Sequence, residues 1–232
     1  MDNTYCGRIA GTSPLFTANE EVVAQILGNG KVFGIYETMP AWGREARQAN
    51  PGISHTEKVI CECAEENMNG ADWRMIWING FSFHQLEKQM GHSRAKQPYF
   101  DPNYGWWMKN FHDGENWATQ IVEPGYRLID FNGRFPDRDW AHQEQAISKL
   151  GFSFERAQEQ VVIEACCSIR KISKEINLLL GWFHSGPTRP LDDGRHLRVS
   201  NFGRDGWRVL TVPADRVGHH IRVVLSKKTV QS

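Results

Sequence analysis

A chain of 232 residues, 40% hydrophobic and 23% charged, has the composition of a globular protein and the length for one sizeable core. Its 27 Lys/Arg balance 27 Asp/Glu. That gives no global electrostatic case for nucleic acid or a membrane surface as partner. The balance is uneven along the chain: residues 1–150 carry 14 Lys/Arg against 19 Asp/Glu, and residues 151–232 carry 13 against 8.

In chain order, Thr17-Ala-Asn-Glu20 has the form of a capping box and predicts a helix over 18–27, stopped by Gly28. Lys31–Tyr36 reads as a strand broken by Pro40. Ser54-His-Thr-Glu57 predicts a second capped helix over 55–68, closed by Asn69-Gly70. The apolar run over 73–79 predicts a strand covered on both faces, and Ser82–Met90 a short helix.

The stretch Tyr99–Trp117 holds seven aromatic residues, with Pro102, Gly105 and Gly114 preventing one long element. Flat rings beside Asp and amide side chains suit a carbohydrate or base-stacking platform. The same rings also serve to anchor a loop that has few aliphatic residues. If the backbone is extended, Trp106 and Trp107 point to opposite sides, one buried and one free for a ligand.

Gly125–Phe131 predicts a strand and Asp139 caps a helix through Leu150. Steps of three and four from Phe154 to Leu180 predict one long helix over 153–180, either a central core helix or a dimer seam. Its other face carries Glu159, Arg170, Lys171, Lys174 and Glu175.

After the linker Ser185–Pro190, Asp205-Gly206 predicts a hairpin between 196–202 and 207–212, followed by a strand over 220–227. Alternation groups Leu197, Val199, Trp207, Val209, Ile221, Val223 and Leu225 on one face. The other face receives His196, Arg198, Arg208, His220 and Arg222, a set suited to a small anionic or polar ligand because the guanidinium fork pairs with carboxylate and phosphate. The same set also fits a solvated outer face.

Motifs for covalent, nucleotide or cofactor chemistry are missing: there is no G-x-S-x-G, no Walker sequence, no G-x-G-x-x-G and no H-E-x-x-H. No cofactor or metal is therefore expected, although His84/Glu87, His142/Glu144 and His112-Asp113 place ligand types close together. Five cysteines without a C-x-x-C read as buried thiols in a reducing compartment. MDNTYCGRIAGTSPLF has no signal-peptide pattern and no apolar run is long enough to span a membrane, so a cytoplasmic protein is expected.

Gly125-Tyr-Arg-Leu-Ile-Asp-Phe-Asn-Gly-Arg-Phe135, followed by Trp140, Gln143, Leu150-Gly151 and Phe154-Glu-Arg-Ala157, resembles uncharacterised proteins of unknown function from uncultivated bacteria. Asn201-Phe-Gly-Arg-Asp-Gly206 and Leu225-Ser-Lys-Lys228 are similar to the same set, so the resemblance runs mainly over 125–228. It implies a bacterial intracellular protein and brings no ligand or catalytic residue with it.

The expected fold is α+β: helices on a mixed sheet in a main domain over 1–184, with a small antiparallel sheet over 190–232 as a subdomain or as part of the same domain. The leading functional expectation is a non-enzymatic binding or interaction protein, with the Arg/His face and Trp106/Trp107 as its site. A metal-assisted hydrolase or transferase using His112 and Asp113 is one alternative. A nucleic-acid binder using the basic strands is another, and a protein partner also remains open. The sequence sets neither the ligand nor the oligomeric state.

Overall fold

The computed structural model describes residues 19–44, 52–93, 100–101, 118–175, 178–179, 182–187, 194–203 and 206–228. Within these residues lie six helices and eight strands: α1 (Glu20–Leu27), β1 (Val32–Phe33), α2 (Ile35–Ala41), α3 (Glu57–Met68), β2 (Trp73–Ile78), α4 (Phe83–Met90), β3 (Gly125–Arg134), α5 (Trp140–Leu150), β4 (Phe154–Arg156), α6 (Glu159–Ser173), β5 (Phe183–Ser185), β6 (Arg195–Gly203), β7 (Gly206–Pro213) and β8 (Ile221–Lys227). The class is α+β. None of the described helices is long and apolar enough to cross a membrane.

The strands form one mixed sheet in the order β1-β2-β3-β8-β5-β6-β7. β8 is its hinge piece. One edge of β8 pairs antiparallel with β3, and its other neighbours are β4 and β5. Residues 225–227 pair antiparallel with β4, and residues 221–222 pair parallel with β5. The strands after residue 190 are thus continuous with the sheet of β1–β3, and β8 does not extend the β6–β7 hairpin.

Two layers cover this sheet. On one face α6 sets Val162, Ala165, Cys166 and Ile169 against Ile76, Ile78, Ile129, Phe131, Leu197, Val199 and Val224. Each Val, Ile, Leu or Phe side chain among these contributes about 1.5–3 kcal/mol when taken from water. On the other face Val23 and Leu27 of α1, Ile60 and Cys63 of α3 and Ile147 of α5 close over Trp73, Met75, Trp77, Tyr126, Leu128, Val223 and Leu225.

Buried polar groups tie the layers together. Trp42 donates to Ser168 Oγ at 2.7 Å and Trp207 to Cys167 Sγ at 3.1 Å. The Glu164 carboxylate accepts from the backbone and side chain of Asn79 and from Phe81 N, which fixes the turn after β2 to the middle of α6. Desolvation pushes this carboxyl up to about 7, against the pull of those donors.

Several boundaries differ from the sequence reading. The caps are Asn19, which accepts from Val22 N, and Thr56, which accepts from Val59 N. Thr17 lies outside the described residues, and Ser54 precedes α3 without capping it. The run Lys31–Tyr36 gives only a two-residue strand. The chain turns into α2 at Ile35, with Pro40 in the last turn.

The predicted helix over 153–180 is shorter. Phe154–Arg156 extends as β4 along β8, α6 starts at Glu159, and Lys174 ends it in the left-handed conformation with φ 64°. Glu159, expected on the face opposite the apolar stripe, is buried with a relative exposure of 1%.

Candidate anion-binding site

β6 lies between β5 and β7, and its alternation sends Leu197 and Val199 toward α6. The register then fixes what faces the other way. Ser185 pairs with Arg198, Arg198 with Leu210, His196 with Val212, and Phe183 with Ile221. Directly paired residues share a face. Phe183, Arg198, Leu210, Val212 and Ile221 therefore converge, and with Pro213, Arg216 and His220 they line a cavity of about 190 Å³. His220 reaches its rim because Gly218 has no side chain: a Cβ there would lie 2.9 Å from His220 Cε1. Its ring meets Phe183 edge-on, with centroids 6.0 Å apart.

Arg198 forms the floor. It is 1% exposed. Its Nη2 donates to the Arg216 carbonyl at 3.3 Å, while Nε and Nη1 have no hydrogen-bond partner. Its setting is electrostatically unfavourable. Desolvation first, then Arg156 and Arg216, pull the guanidinium down to about 10.

Four cationic side chains are buried among the described residues: Arg74, Arg156, Arg198 and Lys227. Arg74 pairs with Asp72 and Glu175, Arg156 with Glu144, and Lys227 lies 3.9 Å from Glu62. Arg198 alone of the four makes no ion pair. An unsatisfied buried donor costs about 1–3 kcal/mol, and a charged one more. A fold keeps such a group when something outside the chain completes it, or when its position serves a purpose other than stability.

The sequence-predicted residues separate into three groups. Arg198 and His220 belong to the cavity. His196 and Arg208 are on the same face but engaged elsewhere: the His196 ring stacks on Trp140 with centroids 4.6 Å apart, and Arg208 Nε donates to Asp101 Oδ2 at 3.2 Å. Arg222 is on the opposite face. Arg222 and Val199 both pair with His184, so Arg222 shares the side of Val199 and places its guanidinium 5.7 Å from the Trp182 ring centroid. By the same register Ile221, Val223 and Leu225 face away from Leu197, Val199, Trp207 and Val209, which corrects the grouping read from alternation. The inserted strand β5 is the cause. It makes β8 a parallel neighbour of β5 rather than a third strand of the hairpin, so a phase carried over from β6 and β7 does not apply.

Of Tyr99–Trp117 only Phe100 and Asp101 are described. Phe100 is buried in the core beside Trp207, and Asp101 is buried against Arg208. Trp106, Trp107, His112 and Asp113 lie outside the described residues. Sequence reasoning missed Arg216, Phe183, Leu210 and Val212. A basic residue after Pro213 was visible, but nothing local ties that turn to β6.

The described residues hold no group of three or more His, Cys, Asp or Glu placed to bind a metal ion. His142 bonds its own helix cap, Asp139, at 2.8 Å, and His84 lies 3.8 Å from Glu87. A larger cleft of about 680 Å³ runs beside β4 between α5 and the start of α6. Its buried cations, Arg156 and Lys227, are the ones already matched by carboxylates.

No family model matches the chain, and neither a curated protein nor a solved structure matches it.

Proposed function

We propose that this is a non-enzymatic binding protein that holds a small anion in the cavity floored by Arg198, with Arg216 and His220 at its mouth. The single observation behind this reading is the buried guanidinium with two donor groups unused and no carboxylate beside it. An entering anion supplies the missing acceptor, and a charge-assisted hydrogen bond is worth roughly twice a neutral one. The separation of the basic residues favours a small ligand over nucleic acid. Arg198 is too deep to meet a phosphate backbone, and Arg222 faces the other way. A cytoplasmic setting belongs to the same proposal, supported by the unbridged thiols of Cys63, Cys166 and Cys167.

Melting the protein with phosphate, sulfate, acetate, butyrate, magnesium, zinc and a short single-stranded DNA tests this. An anion present at about 100 times its Kd stabilises by about 2.7 kcal/mol, a rise of roughly 5–10 °C for a chain of this size. The expected result is a rise with one or more small anions. A rise confined to a metal or to DNA contradicts the proposal.

A further inference from the structure

We infer that the ligand is a monocarboxylate with a short apolar tail, its carboxylate against Arg198 and its tail between Phe183, Leu210, Val212 and Ile221. This rests on the anion reading above and narrows it to one chemical class.

The cavity has one buried charge. Arg198 is at the floor, while Arg216 and His220 are exposed at the rim. Between them the walls are aliphatic and aromatic. The volume of about 190 Å³ is the room of roughly six waters at ~30 Å³ each.

A phosphate dianion placed at the floor has four oxygens to satisfy. On Arg198 the unused donor groups are Nε and Nη1, the nearby unpartnered hydroxyls are those of Ser185 and Ser200, and Arg216 and His220 stand only at the rim. The remaining oxygens would lie against Leu210, Val212 and Ile221 without partners, at the cost of unpaired buried polar groups. A carboxylate has two oxygens and one negative charge, so with one oxygen taking an N–H of Arg198 it leaves fewer oxygens against the apolar walls than a phosphate does. Its tail then replaces water along the apolar walls.

Each buried methylene contributes about 0.8 kcal/mol, which is about a fourfold gain in affinity. A polar or doubly charged small molecule gains nothing from these walls.

Calorimetric titration with acetate, butyrate, pentanoate, pentanamide and inorganic phosphate tests the inference on the intact chain and on Arg198→Met and Leu210→Trp. The latter fills the cavity without touching the charge, and it carries the test if the first variant does not fold. The expected result is a Kd that falls about fourfold per methylene from acetate to pentanoate. Pentanamide should not bind, and neither variant should bind pentanoate. Phosphate binding more tightly than pentanoate, or equal affinity along the carboxylates, overturns this inference and leaves the anion reading standing. Absence of any anion binding, or pentanoate binding that survives in both variants, overturns the two together.

Discussion

Arg198→Met is expected to make the ligand-free protein more stable, by about 1–3 kcal/mol. An arginine that holds a fold together does the opposite when removed. Arg198 sits at 1% exposure with Nε and Nη1 unpaired and two further guanidinium groups, Arg156 and Arg216, lowering its pKa. Methionine keeps most of the apolar stem and removes the buried charge. The one bond lost is Nη2 to the Arg216 carbonyl, at 3.3 Å a long one. Urea unfolding in a buffer free of small carboxylates and phosphate reads this directly. A higher midpoint with an unchanged slope is the expected outcome. A loss of more than about 1 kcal/mol would mean that Arg198 is a structural residue with a protein partner. The gain in ligand-free stability should go together with loss of anion binding, the pattern of a site kept for function at a cost in stability.

The second large effect is acid sensitivity centred on His184. This ring is wholly buried between β5 and β8. Its Nδ1 accepts from Val224 N at 3.0 Å, so the proton sits on Nε2, which donates to the Ala157 carbonyl at 2.8 Å. One neutral tautomer thereby links β5, β8 and the lead into α6. Desolvation pulls the group down to about 3, with Arg156 adding to the effect and the Ala157 carbonyl opposing it. Because the folded pKa lies below the unfolded one, the stabilisation is complete above about 6.5. It is lost as pH falls toward 3, by about 4–5 kcal/mol in all. His55 is buried with both ring nitrogens unpartnered, and desolvation, then Arg127 and Lys227, pull it down to about 4, which adds loss over the same range.

Glu164 acts with the opposite sign. Its raised pKa gives stability that is complete below about 4.5 and fades as pH rises through about 7. Two histidines outweigh one carboxyl between pH 4.5 and 6.5, so the urea midpoint should fall steadily on acidification there. His184→Gln is expected to cost about 2 kcal/mol at pH 7 and to reduce the acid loss by about half. An acid slope unchanged in His184→Gln would place the proton uptake elsewhere.

Much of the architecture is legible in the sequence because it is written locally. Asp139 and Ser82 announce their helices through short-range bonds, and the apolar run of β2 announces a strand covered on both sides. What is not legible depends on partners distant along the chain. Phe183-His-Ser185 is too short and too polar to read as a strand. Yet its pairing with both β6 and β8 decides which way Arg222 faces and turns three apparent hairpin strands into part of a larger sheet. Likewise Phe154–Arg156 fits the helical spacing of α6 but is held extended by β8.

The candidate site shows the same division. Alternation along β6 correctly set Arg198 apart from Leu197 and Val199, since period two is a local property. It did not foretell that Arg198 would be buried while Arg208 found Asp101. That depends on the chain between β7 and β8, which brings Arg216 over one end of the face. Nor could sequence tell a buried unpaired arginine from a solvated one, because carboxylates abound elsewhere in the chain.

The most direct test of the central claim is a crystal structure of the protein soaked in bromide, with anomalous scattering recorded at the bromine edge. The account predicts a bromide ion in the cavity between β6, β7 and β8, in contact with Nε or Nη1 of Arg198. A cavity empty of bromide, with the Arg198 guanidinium turned onto a carboxylate or backbone carbonyl of its own chain, would contradict it.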